Sequence, residues 1–325
     1  MKAAIVTEAG VRVEDVPEPR PKPEEVLVRV RAAGLNRADL GVASGQAHGR
    51  QGGPGTIIGL EFAGEVVALG AAVPPGTLAV GQRVMCSGAG GYAEYAVADW
   101  GRVSPLPDAN MGWEQAATLP VALQTMHDAV VTNGGLQKGE AILIQGASSG
   151  VGLMGMQIAR LMGAGLVLGS STDPGRRARL AEFGCDVAID TGAADWADRV
   201  LEATGGKGVE VIVDQVSGAL ANGNLRCCAI LGRIVNVGRL GGAKAEFDFD
   251  LHALRRIRYI GVTFRTRSAE EVREINRRMR ADLWPAVEAG RLRLPIDRVF
   301  PLAEAAEALA HMKANRHFGK IVLAC

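Results

Sequence analysis

The sequence predicts an α/β protein in which a β-rich domain is joined to a domain with a doubly wound parallel sheet. Three observations indicate this architecture. The N-terminal third consists of short apolar segments between Gly- and Pro-rich turns. From about residue 140 onward, apolar runs alternate with helical segments, as in a sheet covered by helices on both faces. A glycine-rich segment joins the first of these runs to the first helix.

Composition and charge narrow the possible classes of protein. Of the 325 residues, 48% are hydrophobic and 22% are charged, which is typical of globular proteins long enough for two cores. A formal net charge of +1 and an aromatic content of 4% argue against nucleic acid as a partner. No apolar run is long enough to span a membrane, and residues 1–10 lack the features of a signal peptide. We therefore expect a cytoplasmic protein.

The N-terminal region is expected to form a barrel or sandwich of short strands. In segment 25–31 every second residue is valine, the period of two that a half-buried strand shows. Pro and Gly clusters at 17–23, 52–55 and 74–76 mark turns between such strands. This pattern favours a compact β-rich domain.

The second region alternates strands and helices. The predicted strands are 141–145, 165–169, 186–190, 210–214, 233–237 and 259–263. The predicted helices between them are 151–162, 176–183, 196–203 and 220–230. Helices at 269–279 and 302–313 and a strand at 320–324 follow. Six apolar runs separated by helices predict a six-stranded parallel sheet with helices on both faces.

The glycine-rich segment between the first strand and the first helix of this region is the strongest local signal. It comprises Gly146, Ala147, Ser148, Ser149, Gly150, Val151 and Gly152. Small residues allow the backbone to turn sharply and to approach a pyrophosphate at the helix N-terminus. Its position after a strand and before a helix predicts a dinucleotide-binding turn, and a tight connection without a ligand is the alternative.

The end of the second strand of this region indicates which dinucleotide is bound. An acidic side chain there would favour NAD, and Asp173 has about the right spacing. Asp173 lies beyond the strand end and before a proline, where it is expected to start a helix instead. Neutral serines followed by arginines suit a 2′-phosphate, although the arginines could simply be solvated. The sequence thus favours NADPH, with the phosphate held by Ser170, Ser171, Thr172 and Arg176.

Several spaced motifs together resemble those of a known family. They are 33–39 (AGLNRAD), 59–64 (GLEFAG), 90–95 (GGYAEY), 116–120 (AATLP), the turn 146–152 and 314–322 (ANRHFGKIV). The sequence resembles the medium-chain dehydrogenase/reductase superfamily, in particular its zinc-independent quinone oxidoreductase (zeta-crystallin-like) branch. The resemblance implies a GroES-like catalytic domain at 1–122 and 265–325 and a Rossmann NADP-binding domain at 123–264. It also implies a homodimer joined through the cofactor domain.

The same resemblance bears on metal binding. Zinc-dependent relatives carry a Cys where Asn36 stands and a His where Leu60 stands. Glu61 is present without those partners, and the four-cysteine cluster of the structural zinc site is missing. Because one carboxylate cannot hold zinc, we expect no metal.

The resemblance assigns further residues to the nicotinamide end of the cofactor. They are Asn36, Thr125, Gly238, Phe264, Arg265 and Asn315. Phe264 is equally compatible with a simple core position, and Asn315 with an ordinary cap or turn.

The proton donor is the least determined part of the site. Many relatives carry a Tyr after the Asn36 motif, but segment 40–49 contains none. His48 is the candidate catalytic acid beside Asn36, with Asp39 and His127 as alternatives. An exposed loop position without a catalytic role is the other interpretation of His48.

Together these features predict an NADPH-dependent enzyme that transfers hydride to quinones or α,β-unsaturated carbonyls without zinc. An enoyl-thioester reductase would share every motif. A non-catalytic dinucleotide- or RNA-binding protein with the same fold is the third interpretation.

Overall fold

The computed structural model describes residues 1–47, 49, 52–107 and 111–325. His48 lies outside the described residues, so its predicted catalytic role stays a prediction. The chain forms two compact units, one of residues 1–121 with 264–325 and one of residues 122–263.

The described residues form strands and helices with the following bounds. The strands are β1 (Lys2–Thr7), β2 (Gly10–Asp15), β3 (Glu25–Gly34), β4 (Glu61–Leu69), β5 (Arg83–Ser87), β6 (Tyr95–Asp99), β7 (Val103–Pro105), β8 (Ala141–Gln145), β9 (Leu166–Ser170), β10 (Val187–Ile189), β11 (Val209–Asp214), β12 (Cys228–Asn236), β13 (Arg258–Gly261), β14 (Ile296–Pro301) and β15 (Lys320–Ala324). The helices are α1 (Arg37–Ala43), α2 (Trp113–Ala117), α3 (Pro120–His127), α4 (Gly150–Leu161), α5 (Pro174–Ala178), α6 (Trp196–Ala203), α7 (Ala221–Cys227), α8 (Phe249–Arg255), α9 (Ala269–Glu288) and α10 (Ala305–Lys313).

The first unit is built on a largely antiparallel sheet. Its strands follow the order β14-β15-β3-β4-β5-β7, and β6 also pairs with β3. The predicted strand at 25–31 is confirmed as part of β3, and its alternating valines lie in a core with Phe62 and Tyr92. β15 returns from the C-terminal end of the chain and pairs antiparallel with β3. This pairing carries C-terminal residues to the sheet that also holds Glu61.

The second unit is the predicted doubly wound domain. Its six strands are parallel in the order β10-β9-β8-β11-β12-β13. The strand order reverses between β8 and β11, the point at which such sheets bind ligands at the carboxyl ends of their strands. The apolar core of this unit includes Leu143, Leu168, Ile212 and Ile234, all fully buried. The α/β fold class with its two kinds of sheet is confirmed.

Some predicted boundaries were wrong. The predicted helix 220–230 ends at Cys227, because Cys228 already pairs with Val209 in the parallel ladder. The predicted helix 269–279 continues to Glu288, since buried side chains recur at helical spacing along the whole of α9. The predicted helix 176–183 divides into α5 and a 3₁₀ turn. For the first two of these elements, sheet pairing and burial determine where the element ends.

Candidate functional site

The glycine-rich turn, residues 146–152, joins the end of β8 to the start of α4 as predicted. Gly146 adopts a φ of +69°, a conformation that favours glycine. Ser149 caps the helix, because its Oγ accepts a hydrogen bond from the Gly152 N–H at 3.0 Å. A Cβ on Gly152 would lie 2.6 Å from the Gly146 carbonyl oxygen. The helix start therefore packs against the strand end too closely for any other residue.

This geometry suits a bound pyrophosphate. The 12-residue helix α4 directs its N-terminus, with its partial positive charge, at the turn. The turn also lies beside the point where the strand order reverses. The residues present therefore fit the phosphates of a dinucleotide.

Gln215, just after β11, braces this turn. Its Nε2 donates to the Gln145 carbonyl at 3.1 Å, and its Oε1 accepts a hydrogen bond from Ser149 Oγ at 3.1 Å. A Cβ on Gly238 would lie 2.5 Å from the Gln215 carbonyl oxygen. The structure thus brings Gly238 to the same end of the sheet as the turn. Gln215 could not be predicted from the sequence, since its role depends on the pairing of β8 with β11.

Ser170 is the last residue of β9 and Ser171 follows it; both lie beside the turn, but their hydroxyls make different contacts. Ser170 is buried, and its Oγ donates to Gln145 Oε1 at 2.5 Å while accepting the Gly146 N–H at 3.0 Å. These contacts correct the expectation that its hydroxyl faces a phosphate, because both of them lie within the protein. The Ser171 hydroxyl donates to Ser148 Oγ at 3.1 Å. Ser171 therefore connects the end of β9 directly to the turn.

In the segment after β9, Asp173 starts a helix as predicted, while the predicted contact of Arg176 with a phosphate stays a prediction. The carboxylate of Asp173 accepts the Arg176 N–H at 2.8 Å and caps α5, whose first residue is proline. Arg177 donates to the Ser171 carbonyl at 2.8 Å and pairs with Asp190 at 3.0 Å. Asp173 thus acts as a helix cap, and Arg177 holds the backbone of the segment. Thr172 is exposed and Arg176 is half-buried.

A second set of polar side chains lies inside the first unit. This buried polar cluster consists of Asn36, Asp39, Glu61, Tyr92 and Lys320, each at most 8% exposed. Lys320 pairs with Glu61 and donates to Asn36 Oδ1 at 3.1 Å. Asn36 Nδ2 donates to Glu61 Oε1 at 2.9 Å. Both ends of the Asn36 amide are engaged within the unit, and its predicted contact with the cofactor stays a prediction.

Asp39 and Tyr92 form the other half of the buried polar cluster. Asp39 Oδ2 accepts hydrogen bonds from the Tyr92 hydroxyl and the Asn36 N–H, both at 2.7 Å. No described residue hydrogen-bonds Asp39 Oδ1. Burial raises the pKa of Asp39 to about 7, against the opposing effect of the Tyr92 hydrogen bond. Burial likewise raises the pKa of Tyr92.

Glycines give this cluster its space. A Cβ on Gly34 would lie 2.8 Å from Glu61 Oε1 and 2.3 Å from the Ala117 carbonyl oxygen. Gly59 adopts a φ of +110°, and a Cβ there would lie 2.6 Å from the Tyr92 ring. These two motif glycines are therefore required by close approach.

The remaining predicted residues lie in different settings. Thr125 is half-buried on α3, Phe264 is half-buried and Arg265 is exposed. Asn315 follows α10 with a φ of +53°, as a helix-ending residue does, and accepts a hydrogen bond from Arg37 at 2.6 Å. The backbone of Asn315 is thus that of a residue that ends a helix, as the alternative interpretation predicts. Assignment of these residues to the nicotinamide end stays a prediction.

Tyr92 and Lys320 were not predicted as members of a site, although both carried a signal. Lys320 opens the apolar run of β15, and a charge in such a run requires a partner. Glu61 was recognised as a carboxylate without its family partners. Tyr92 belongs to the family motif 90–95, but a tyrosine was expected only in the segment after Asn36.

The oxygens of Glu61 are taken by protein donors. Besides Lys320 and Asn36, the Val121 N–H donates to Glu61 Oε2 at 2.8 Å. Across the described ranges, no three His, Cys, Asp or Glu side chains are grouped so that they could hold a metal ion.

In the part of the chain that the structure describes, no helix has the length and hydrophobicity to cross a membrane.

Comparison with known proteins identifies the family. The alcohol dehydrogenase GroES-like domain family matches residues 22–108, and the zinc-binding dehydrogenase family matches residues 150–280. Quinone oxidoreductase of Sus scrofa is 30% identical over 95% of this chain and 92% of its own length. The chain belongs to the medium-chain dehydrogenase/reductase superfamily, in its quinone oxidoreductase-like branch.

Members of this superfamily also occur inside much larger proteins. A phenolphthiocerol/phthiocerol polyketide synthase of Mycobacterium tuberculosis is 31% identical over 97% of the chain. The chain spans only 14% of that protein's length, and between 5% and 14% of the first five polyketide synthases that match. Among solved structures, a mycobacterial protein in complex with NADPH has a TM-score of 0.88 and 27% identity, with 100% of both chains covered.

Proposed function

We propose that this medium-chain reductase transfers hydride from NADPH to quinones or α,β-unsaturated carbonyl compounds without zinc. The observation that carries the proposal is the glycine-rich turn at the start of α4, followed by a β9 end that directs no carboxylate at a ribose. Asp173, the one acidic candidate there, caps α5. NADPH is further supported by the NADPH complex of the mycobacterial relative.

The chain's own residues would bind and orient the cofactor. The backbone of the turn and the N-terminus of α4 would hold the pyrophosphate. Ser171, Thr172 and Arg176 would surround the 2′-phosphate, for which the Arg guanidinium is well suited. When bound, the nicotinamide supplies the hydride. We further propose that Asn36 and His48 serve the reacting end, His48 as proton donor.

The proposed substrate class is supported by the contacts of Glu61. Glu61, the residue that aligns with a zinc-site motif, is satisfied by Lys320, Asn36 and the Val121 N–H. An acceptor that is already polarised, such as a quinone or enone, accepts hydride with only hydrogen-bond donors at its developing oxyanion. This is why we favour such acceptors over simple alcohols or ketones.

An enoyl-thioester reductase is the second candidate. The identity of 31% to a polyketide synthase, over 97% of the chain, favours it specifically. Polyketide synthases extend acyl chains that are carried as thioesters, so a reductase of this fold within them would act on enoyl thioesters. The two candidates differ in the group attached to the reduced double bond.

A substrate panel tests the proposal and separates the candidates. Purified protein is assayed with NADPH against a simple quinone, an enone and a crotonyl thioester. We expect turnover with the quinone or the enone to have the highest kcat/KM. A clear preference for the crotonyl thioester would favour the second candidate. NADPH binding without turnover on any of the three would favour a non-catalytic dinucleotide-binding protein.

We also propose a homodimer joined through the cofactor unit, as the family resemblance implies. Sedimentation at micromolar concentration should give the mass of two chains, and the mass of one chain would contradict it.

A further inference from the structure

Within the second unit, a series of buried side chains leads from the glycine-rich turn into the interior. The Gly146 N–H donates to Ser170 Oγ at 3.0 Å, and Ser170 Oγ donates to Gln145 Oε1 at 2.5 Å. Gln145 Nε2 then donates to Asn224 Oδ1 at 2.8 Å, and Asn224 Nδ2 donates to Asp214 Oδ2 at 2.9 Å. We call these five residues the hydrogen-bond chain. The side chains of Ser170, Gln145, Asn224 and Asp214 are at most 1% exposed.

Every donor in the hydrogen-bond chain points toward Asp214. An ionised carboxylate only accepts hydrogen bonds, so Asn224 must present its NH₂ group to Asp214. Asn224 then presents its oxygen to Gln145, and Gln145 in turn presents its oxygen to Ser170. Ser170 uses its hydrogen on Gln145 and keeps a lone pair for Gly146. The charge of Asp214 thus sets the direction of the whole chain, in which Gln145 takes up the Ser170 hydrogen and a lone pair of Ser170 Oγ is left for the Gly146 N–H.

Asp214 itself is held firmly. Its Oδ1 accepts the N–H groups of Val216 and Ser217, both at 2.8 Å, which leaves Oδ2 for Asn224. Burial raises the pKa of Asp214, while these backbone hydrogen bonds and the one from Asn224 oppose that shift. Hydrogen bonds of uniform direction polarise one another, so the carboxylate strengthens each bond toward Gly146.

We propose that Asn224 is a positioning residue for dinucleotide binding, because it transmits the polarity of the Asp214 carboxylate to the glycine-rich turn. This inference rests on the dinucleotide binding proposed above. Asn224 lies on α7, outside every sequence motif connected with the cofactor. Without it, nothing determines which end of the Gln145 amide faces Ser170, and the Ser170 hydrogen is no longer held away from the Gly146 N–H.

Exchanging the carboxylate and the amide tests this directly. In Asp214→Asn, the new amide directs its NH₂ at Asn224, which must reverse, and the reversal leaves the Ser170 hydroxyl hydrogen without an acceptor in the chain. Asn224→Asp alone sets two buried carboxylates against each other. The double variant D214N/N224D restores a single carboxylate that accepts from Gln145, and the bonds from Gln145 to Gly146 regain their direction.

The readout is the Kd for NADPH and for NADH, measured by fluorescence titration, together with KM and kcat. We expect each single variant to bind both dinucleotides at least about fivefold more weakly. The double variant should return to within about twofold of the wild type, and the effect should fall on KM rather than kcat. Leu225 is the fully buried neighbour of Asn224 on α7, and Leu225→Ala is therefore the matched control. It should lower Tm but leave both Kd values unchanged below its Tm.

The inference would be overturned by single variants that bind the dinucleotides as tightly as the wild type does. It would also be overturned by a double variant that binds them no more tightly than the single variants, or by a Leu225→Ala variant that is folded yet loses as much affinity. If the single variants do not fold, Ser170→Ala decides. If Ser170→Ala binds both dinucleotides more weakly to the same extent, the role of the hydrogen-bond chain is supported. Unchanged affinity, or weaker binding of NADPH alone, contradicts it. A wild type that binds neither dinucleotide would refute the proposed function itself, before any variant is compared.

Discussion

Lys320 and Glu61 form an ion pair inside the first unit, where 4% and 0% of their side chains are exposed. Desolvating both charges is costly, and their mutual attraction together with further hydrogen bonds must offset that cost. Lys320 also donates to the Leu35 carbonyl at 2.7 Å, and Glu61 accepts the Val121 N–H. The pair therefore joins β15 and β4 to the backbone around the Asn36 motif.

Lys320→Met should destabilise the protein strongly, because it leaves the Glu61 carboxylate buried without its cation. We expect a loss of about 3–5 kcal/mol in the free energy of unfolding, measured by denaturant titration. Lys320→Met combined with Glu61→Gln removes both charges and should recover much of this loss. Arg199→Ala, which removes exposed ion pairs, serves as the control and should have little effect. A double variant as unstable as Lys320→Met would contradict the role assigned to the pair.

Asp39 should make stability depend on pH. Its pKa is about 7 in the folded protein, against an ordinary value of 3.8, so the native state binds more protons between these values. The free energy of unfolding should therefore fall as pH rises from about 4 to about 7, by up to about 1.4 kcal/mol per pH unit from this group, and then level off. Asp39→Asn removes that contribution. The difference between wild type and variant, measured at several pH values, checks it, and parallel curves would refute it.

Arg176→Ala should reveal the site of the 2′-phosphate. A hydrogen bond between arginine and phosphate contributes roughly 1.5–3 kcal/mol, so NADPH should bind about 10- to 100-fold more weakly while NADH is nearly unaffected. The measurement is kcat/KM with each cofactor. Arg179→Ala is a control on the neighbouring surface, since Arg179 pairs with Glu182. Equal efficiencies of the wild type with both cofactors, or an equal loss for both in Arg176→Ala, would show that the phosphate lies elsewhere.

Gly152→Ala should disturb the glycine-rich turn through a single methyl group. The new Cβ would lie 2.6 Å from the Gly146 carbonyl oxygen and 2.7 Å from Ala147 Cα, so α4 must move away from β8. Such overpacking costs about 1–3 kcal/mol, and dinucleotide affinity should fall at least about tenfold. Gly261→Ala, where a Cβ meets nothing within 4 Å, is the control. Unchanged binding by Gly152→Ala would place the pyrophosphate away from this turn.

The activity should not depend on zinc. Glu61 has no free oxygen for a metal, and Asn36 and Leu60 stand where zinc-dependent relatives carry ligands. Purified protein should contain no stoichiometric zinc by elemental analysis, and a strong chelator should leave kcat unchanged. One zinc per chain would overturn this expectation.

Features that depend on neighbouring residues could be predicted from the sequence. Strand β8, its turn, the cap of α5 by Asp173 and helix α6 all belong to this group, because periodicity and cap residues are properties of short contiguous segments. The order of apolar runs likewise predicted the six-stranded parallel sheet.

The meeting of distant polar side chains depends instead on the tertiary structure. Gln145 and Asn224 are 79 positions apart in the chain, and Lys320 and Glu61 are 259 apart. No local pattern records such pairings, because they arise from strand order and from the depth at which each side chain is buried. Burial is also what requires these groups to find partners: an unpaired polar atom removed from water costs free energy that the fold can avoid only through hydrogen bonds between distant residues.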